Sequence, residues 1–214
     1  MITRAHAFTV LEAPQLSPAW VAARLGRLTG SRAADMLATV KGGESIGRRT
    51  LREQLARERL TGRPHGPTYE SAAMRTALER EPAARDWYEA VTGTFVTRTG
   101  FLAHRTLPVG VSLDGHVGDY QGLLELKCPL ALTHADYLTA GTLPGPHRKQ
   151  IIHALWLTGA RWCDWMSYQP EFPPALRALV VRVERDEREV ASYALAAALF
   201  LREVDTEELR QGAA

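Results

Sequence analysis

The sequence predicts a mixed α/β (α+β) domain in which a central mixed sheet is flanked by helices. Three observations lead there. Residues 17–91 read as a run of helical stretches, residues 94–128 change to short strand-like runs punctuated by glycine, and residues 147–210 read helix, strand, strand, helix. With 214 residues, 45% of them hydrophobic, the chain can bury a sizeable core. No repeat, low-complexity tract or boundary divides it, so residues 1–214 are expected to form a single domain. Its best apolar run, 191–201, is too short for the roughly 20 residues of a membrane helix. The N-terminus lacks the basic start and apolar core of a secretory signal. Cys128 and Cys163 alone make no disulfide framework, which points to a cytoplasmic protein.

Each element has its own signal. Ser17-Pro18 offers a capping residue followed by proline at the first helical position, for a helix to about Leu25. A second short helix should begin near Gly30-Ser31, with Ala33, Ala34, Met36 and Leu37 as its apolar positions. Residues 41–47 are turn-rich and read as a mobile loop. Residues 48–60 are helical and so highly charged that most of the helix should face solvent. Residues 61–67 break it, and 69–91 are helical again with Pro82 expected to kink or restart the helix. Strands are expected over 94–98, 101–106, 109–117 and 123–128, a helix over 147–157, strands over 161–168 and 179–184, and a last helix over 190–210.

The net charge of +2 conceals an asymmetry. Residues 24–85 carry 13 basic and 7 acidic side chains, whereas residues 171–214 carry 6 and 9. This excludes a uniformly basic coat but allows a local basic surface on the N-terminal third. The arginine-rich stretch 48–63 is either a solvated face or a track for a DNA backbone. Only Lys41, Lys127 and Lys149 are lysine, a proportion that reads as codon bias.

The segment from Val111 to Pro129 carries the chemistry. Side chains alternate along a strand, so Ser112 and Asp114 share one face, as do Glu125 and Lys127, with Leu124 and Leu126 opposite. Gly115, Gly118 and Gly122 permit a tight reversal that brings Asp114 beside Glu125. Two adjacent carboxylates resist ionising unless a cation sits between them, and hard oxygen donors suit Mg²⁺ or Mn²⁺. Lys127 can then orient or help deprotonate an attacking water and neutralise charge on a phosphate. Taken alone, so loose a pattern more often describes a half-exposed strand with solvated Glu and Lys and a turn at Asp114-Gly115. The surrounding Leu-Leu-Glu-Leu-Lys-Cys-Pro weighs against that, because it reads as a buried strand where unpaired ions are costly. His147, His153 and the two cysteines lack zinc-site spacing. Trp156, Trp162 and Trp165 read as core.

Asp114 followed by Glu125-Leu-Lys127 resembles the active-site core of the PD-(D/E)XK nucleases. Four blocks occur in the order of the phage lambda exonuclease, or YqaJ-like viral recombinase, branch: 24–31, 78–85, 112–129 and 150–156. Leu113 stands where that family has the proline of its Pro-Asp. Thr133 and His134 stand where members can carry an arginine of a 5′-phosphate pocket. Two cysteines exclude the iron–sulfur branch, which needs four.

The resemblance implies a restriction-endonuclease-like core and a role for each matched residue. Asp114, Glu125, Glu81 and the carbonyl of Leu126 would hold metal, Lys127 would position the water, and Gln150 would support either. Arg24, Ser31 and Ser112 would contact the terminal 5′ phosphate, for which arginine's planar fork is suited. Met74 lies where the family can place an apolar wedge, although core packing is the expected role here. The implied activity is a Mg²⁺-dependent 5′-to-3′ exonuclease on linear double-stranded DNA, leaving a 3′ tail for recombination. A ring-shaped homotrimer, a single-strand annealing protein as partner and a phage or prophage origin in a bacterial host are implied with it. An endonuclease on the same core and a non-catalytic DNA-end-binding module are the rival readings.

Overall fold

The computed structural model describes residues 6–41, 43–65 and 72–213. Ten strands and seven helices are found among them. One four-stranded sheet is ordered β1 (Phe8–Leu11), β5 (Phe101–His104), β6 (Val109–Ser112), β2 (Leu28–Thr29). Its pairs are antiparallel except β6 with β2. A second is ordered β10 (Ala178–Glu184), β9 (Trp162–Tyr168), β8 (Gly122–Lys127), β7 (Gly115–Val117), with β8 and β9 parallel. The expected central sheet is thus two sheets, and the single run foreseen over 109–117 crosses between them. It divides at Leu113 and Asp114, which join β6 to β7. The stretch expected as a strand over 94–98 contributes one bridge, Thr97 to His116.

Helix α1 (Pro18–Arg24) starts as anticipated: the Ser17 hydroxyl accepts a hydrogen bond from the Trp20 amide. A single turn, Gly30–Arg32, leads into α2 (Ala33–Met36). The segment expected as a loop over 41–47 is instead built. Strands β3 (Thr39–Val40) and β4 (Gly43–Glu44) pair, and Ser45 caps α3 (Ile46–Thr61).

Helix α3 is less solvated than its composition suggests. Leu51, Leu55 and Ala56 are buried, and its arginines reach the terminal helix α7 (Glu187–Gly212). Arg48 holds Glu203 through two nitrogens at 2.6 and 2.9 Å, and Arg59 holds Asp205 at 2.8 Å. The basic N-terminal third and the acidic C-terminus therefore partly neutralise one another here, which ties Arg48, and Arg59 through Nη1 alone, to α7.

Helix α4 (Ala72–Thr92) runs through Pro82 without a break, and residues 69–71 of the predicted helix lie outside the described residues. The parallel β8–β9 connection needs a long crossover. It holds α5 (Ala131–Ala140), which sequence patterning did not reveal, and α6 (Gly145–Thr158).

Two cores result. The larger joins both sheets to α2, α3, α6 and α7, and the smaller lies between α4 and one face of β8 and β9. Gly110 is required where β6 passes β5, since a Cβ there would overlap the Phe101 ring. Met74, expected in a core, is 50% exposed. No described helix is long and apolar enough to cross a membrane.

Candidate active site

Strand β8 separates its neighbours by alternation. Leu124 and Leu126 enter the smaller core, Leu123 enters the larger one, and Glu125 and Lys127 share the Leu123 face. Pairing of Gly115 with Leu124 sets the next residue back, Asp114, beside Glu125, as the glycine spacing predicts. One Asp114 carboxylate oxygen, Oδ2, accepts the Leu126 amide hydrogen at 2.6 Å. Lys127 Nζ and Gln150 Nε2, the latter at 2.6 Å from α6, both donate to Glu125 Oε1. Asp114, Glu125, Lys127 and Gln150 thus form one connected cluster at the end of β8.

Glu81 comes from α4. One turn further along that helix, Arg85 is 8% exposed and donates from Nη2 to the Asp114 carbonyl at 3.0 Å. Its Nε has no hydrogen-bond partner among the described residues. Glu81, Arg85 and Asp114 share the lining of a cleft of about 350 Å³ with Glu12, Trp20, Arg98 and Ser112. Arg85, Arg98, Trp20 and Glu12 were not singled out from sequence. Only Arg85 left a signal, falling four residues after Glu81 and so on the same helix face.

The electrostatics are those of crowded carboxylates. Burial, then Glu125 and Glu81, push the Asp114 carboxyl well above its ordinary range, against the opposing pull of Lys127 and the Leu126 amide. Glu81 is also raised, by burial first and with Arg85 and Lys127 opposing. Burial would lower Lys127, but Glu125, Asp114 and Glu81 outweigh it and raise its affinity for the proton. The donors available to a cation are all hard oxygens, and two of the carboxylates, Asp114 and Glu125, share one lysine. That chemistry suits Mg²⁺ or Mn²⁺. Among the described residues no three His, Cys, Asp or Glu side chains converge as a ready-made metal cage.

A second group lies beside the cleft. Arg24 Nη1 donates to Ser112 Oγ at 3.4 Å and Nη2 to Thr29 Oγ1 at 3.5 Å, while Thr29 Oγ1 lies 3.4 Å from Ser31 Oγ. Trp20 Nε1 also donates to Ser112 Oγ, and the Arg24 guanidinium stacks 4.2 Å from the Trp20 ring. Burial lowers the Arg24 pKa to about 10, with Glu58 opposing and Arg32 reinforcing, so it stays charged at neutral pH. No described carboxylate forms an ion pair with it. The fold therefore brings Arg24, Ser31 and Ser112 together. His134 is excluded from any phosphate pocket: it is buried, with its nitrogens at Ser167 Oγ and the Leu176 carbonyl.

Comparison with known proteins identifies the family and the fold. The profile of the YqaJ-like viral recombinase domain matches residues 19–161. The structure resembles an alkaline exonuclease (LHK-Exo) from Laribacter hongkongensis, with TM-score 0.82 and 35% identity over 92% of this chain and 98% of that one. The same values hold for LHK-Exo in complex with dAMP. A phage related exonuclease from Haemophilus somnus 129PT shares the fold, with TM-score 0.67 and 12% identity over 88% of this chain and 96% of that one. No curated protein matches the chain.

Proposed function

Because the chain belongs to the YqaJ-like viral recombinase family, we propose that it is a metal-dependent exonuclease acting from the 5′ end of linear double-stranded DNA. The observation that carries this reading is the cluster at the end of β8. Three acidic side chains, Asp114, Glu125 and Glu81, act electrostatically on a single lysine beside an arginine-lined cleft. Asp114, Glu125, Glu81 and the Leu126 carbonyl would hold Mg²⁺ or Mn²⁺, which when bound supplies Lewis-acid stabilisation of charge on the phosphate and the leaving oxygen.

The chain's own groups do the rest. Lys127 is held protonated by its neighbours, so its Nζ–H groups orient the attacking water and neutralise phosphate charge; it is no free amine base at neutral pH. Gln150 fixes the Glu125 carboxylate through Oε1. Arg85 fixes the backbone at Asp114. Arg24, with Ser31 and Ser112, takes the terminal 5′ phosphate, its fork held flat against Trp20. Release of 5′ mononucleotides would leave a 3′ single-stranded tail for recombination. A ring-shaped homotrimer and a single-strand annealing protein belong to the same proposal.

The test is a parallel digestion with Mg²⁺ of linear 5′-phosphorylated duplex, nicked circle and covalently closed circle. Loss of the linear substrate alone is expected. Cutting of the closed circle would replace the proposal with an endonuclease, and end binding without digestion would replace it with a non-catalytic module.

A further inference from the structure

Strand β6 has two ends. At one, Ser112 meets Arg24 and the cleft; at the other, Leu107 and Pro108 border a second pocket of about 310 Å³. By the rise of an extended strand the two lie about 14 Å apart. The second pocket is lined by Arg27, Arg59, His104 and Arg105 together with Leu25, Gly26, Thr106, Leu107 and Pro108. None of these is acidic.

The cations are only partly satisfied. Arg27 Nη1 donates to the Leu107 carbonyl at 3.4 Å, and Arg105 Nε to the His6 carbonyl at 3.1 Å. Neither forms an ion pair with a described carboxylate. Arg59 gives Nη1 to Asp205 and Glu208 and Nε to the Gly26 carbonyl, but its Nη2 is buried with no partner among the described residues. The Arg59 stem passes Gly26 closely enough that a Cβ there would overlap it, and Gly26 has φ +64°. His104 completes the set. Its Nδ1 accepts hydrogens from the Thr106 and Leu107 amides at 3.2 and 3.0 Å, so the proton of the neutral ring sits on Nε2 as a donor.

We propose that this pocket is a second phosphate-binding site, formed by Arg27, Arg59, Arg105 and His104 at the far end of β6 from the cleft. Two guanidinium groups without ion pairs among the described residues, Arg27 and Arg105, the remaining Nη2 of Arg59 and an imidazole N–H recognise a phosphate group by charge and by hydrogen bonds. The phosphate can be an internal phosphodiester of bound DNA, since about 14 Å is the axial rise of roughly four nucleotides, or a free phosphate. Only the phosphodiester source rests on the nuclease reading.

The experiment compares the full chain with R27Q/R105Q, and with R105Q alone, in chelator so that hydrolysis plays no part. Anisotropy with a linear 5′-hydroxyl duplex across a salt series forms one arm. Thermal melting with inorganic phosphate against chloride at matched ionic strength forms the other. For a phosphodiester, the double variant binds roughly tenfold more weakly and its log–log salt slope falls by about one. For a free phosphate, phosphate raises the melting temperature of the wild type more than that of the variant while the salt slope is unchanged. Identical slopes and identical phosphate responses overturn the proposal. R105Q loses only the His6 contact and gives the same readouts at about half the slope change if the double variant does not fold. Because both arms measure binding, a protein that cuts no DNA still passes or fails them independently.

Discussion

Two charged clusters lie on opposite faces of the same sheet, and they are built on opposite terms. On the face toward α4, Asp164 of β9 receives both Arg182 nitrogens at 2.7 and 2.9 Å and the Tyr88 hydroxyl at 2.6 Å. One acid meets one base, and both carboxylate oxygens are used. On the other face, at the end of β8, Asp114 and Glu125 share the single ammonium of Lys127, while Glu81, reaching in from α4, is opposed also by Arg85 and Arg98. The first cluster is balanced by the chain itself. The second leaves two crowded carboxylates on one ammonium. A buried acid is therefore no marker of function in itself; an imbalance of buried charge beside a cleft is.

The sharpest way to break this comparison is by activity. Asp114→Ala and Lys127→Ala should each lower the rate of DNA hydrolysis by about 10³-fold or more, while circular dichroism shows a folded protein. A variant retaining near-wild-type rates would remove its residue from the site.

Stability should separate the clusters with opposite signs. Asp164→Asn leaves Arg182 without its counter-charge, and because Arg182 is half exposed the loss should be about 2 kcal/mol, or several degrees in Tm. Asp114→Asn should do the reverse. A carboxyl whose pKa is raised in the folded state stabilises the fold below its unfolded pKa, and that contribution is lost as pH rises through the folded value. At neutral pH Asp114 has therefore lost stabilisation that it gives in acid, and the amide should hold or raise Tm in the absence of metal. Mg²⁺ should then raise the Tm of the wild type and not of Asp114→Asn. A fall in Tm matching that of Asp164→Asn would show that the two clusters are alike after all.

The unbalanced cluster was legible in sequence and the balanced one was not, for a physical reason. Alternation in Leu-Leu-Glu-Leu-Lys and the glycines before it fix faces and a reversal locally, so Asp114 could be set beside Glu125 without knowing the fold. Asp164, Tyr88 and Arg182 come from three separated elements, and nothing local announces their meeting. The same holds for α3, whose arginines look solvated until α7, some 155 residues later for Arg48 and Glu203, is laid against them. Short pieces failed differently. Strand β1 has four residues and β2 two, too few for a period to show, and α5 offers no clear apolar stripe because His134, a polar residue, is its buried position. Arg85 closes the block 78–85, but its role depends on a backbone carbonyl, which no side-chain pattern encodes.

A smaller effect tests the edge of the unbalanced cluster. Arg24→Ala should reduce the preference for a 5′ phosphate over a 5′ hydroxyl by roughly tenfold, the worth of a charge-assisted hydrogen bond, with little change on the hydroxyl substrate. An unchanged ratio would detach Arg24 from the terminal phosphate.

The smallest effect concerns a buried group balanced without any charge. His153 is fully enclosed, with Nδ1 at the Tyr193 hydroxyl (2.7 Å) and Nε2 at the Gly110 carbonyl (3.0 Å). Burial lowers its pKa to about 4, the Gly110 hydrogen bond opposing, whereas in the unfolded chain it should titrate near 6.5. Between those values the unfolded state binds the extra proton, so stability rises with pH and is lost as pH falls from about 6.5 toward 4. His147, also lowered to about 4 by burial and by Lys127, adds a term of the same sign. Chemical denaturation at pH 7 and pH 5 should therefore show lower stability in acid, and His153→Gln should flatten that difference without abolishing it. An equal pH dependence in the variant would mean that the acid sensitivity belongs elsewhere, with the crowded carboxylates excluded as its source because acid relieves them.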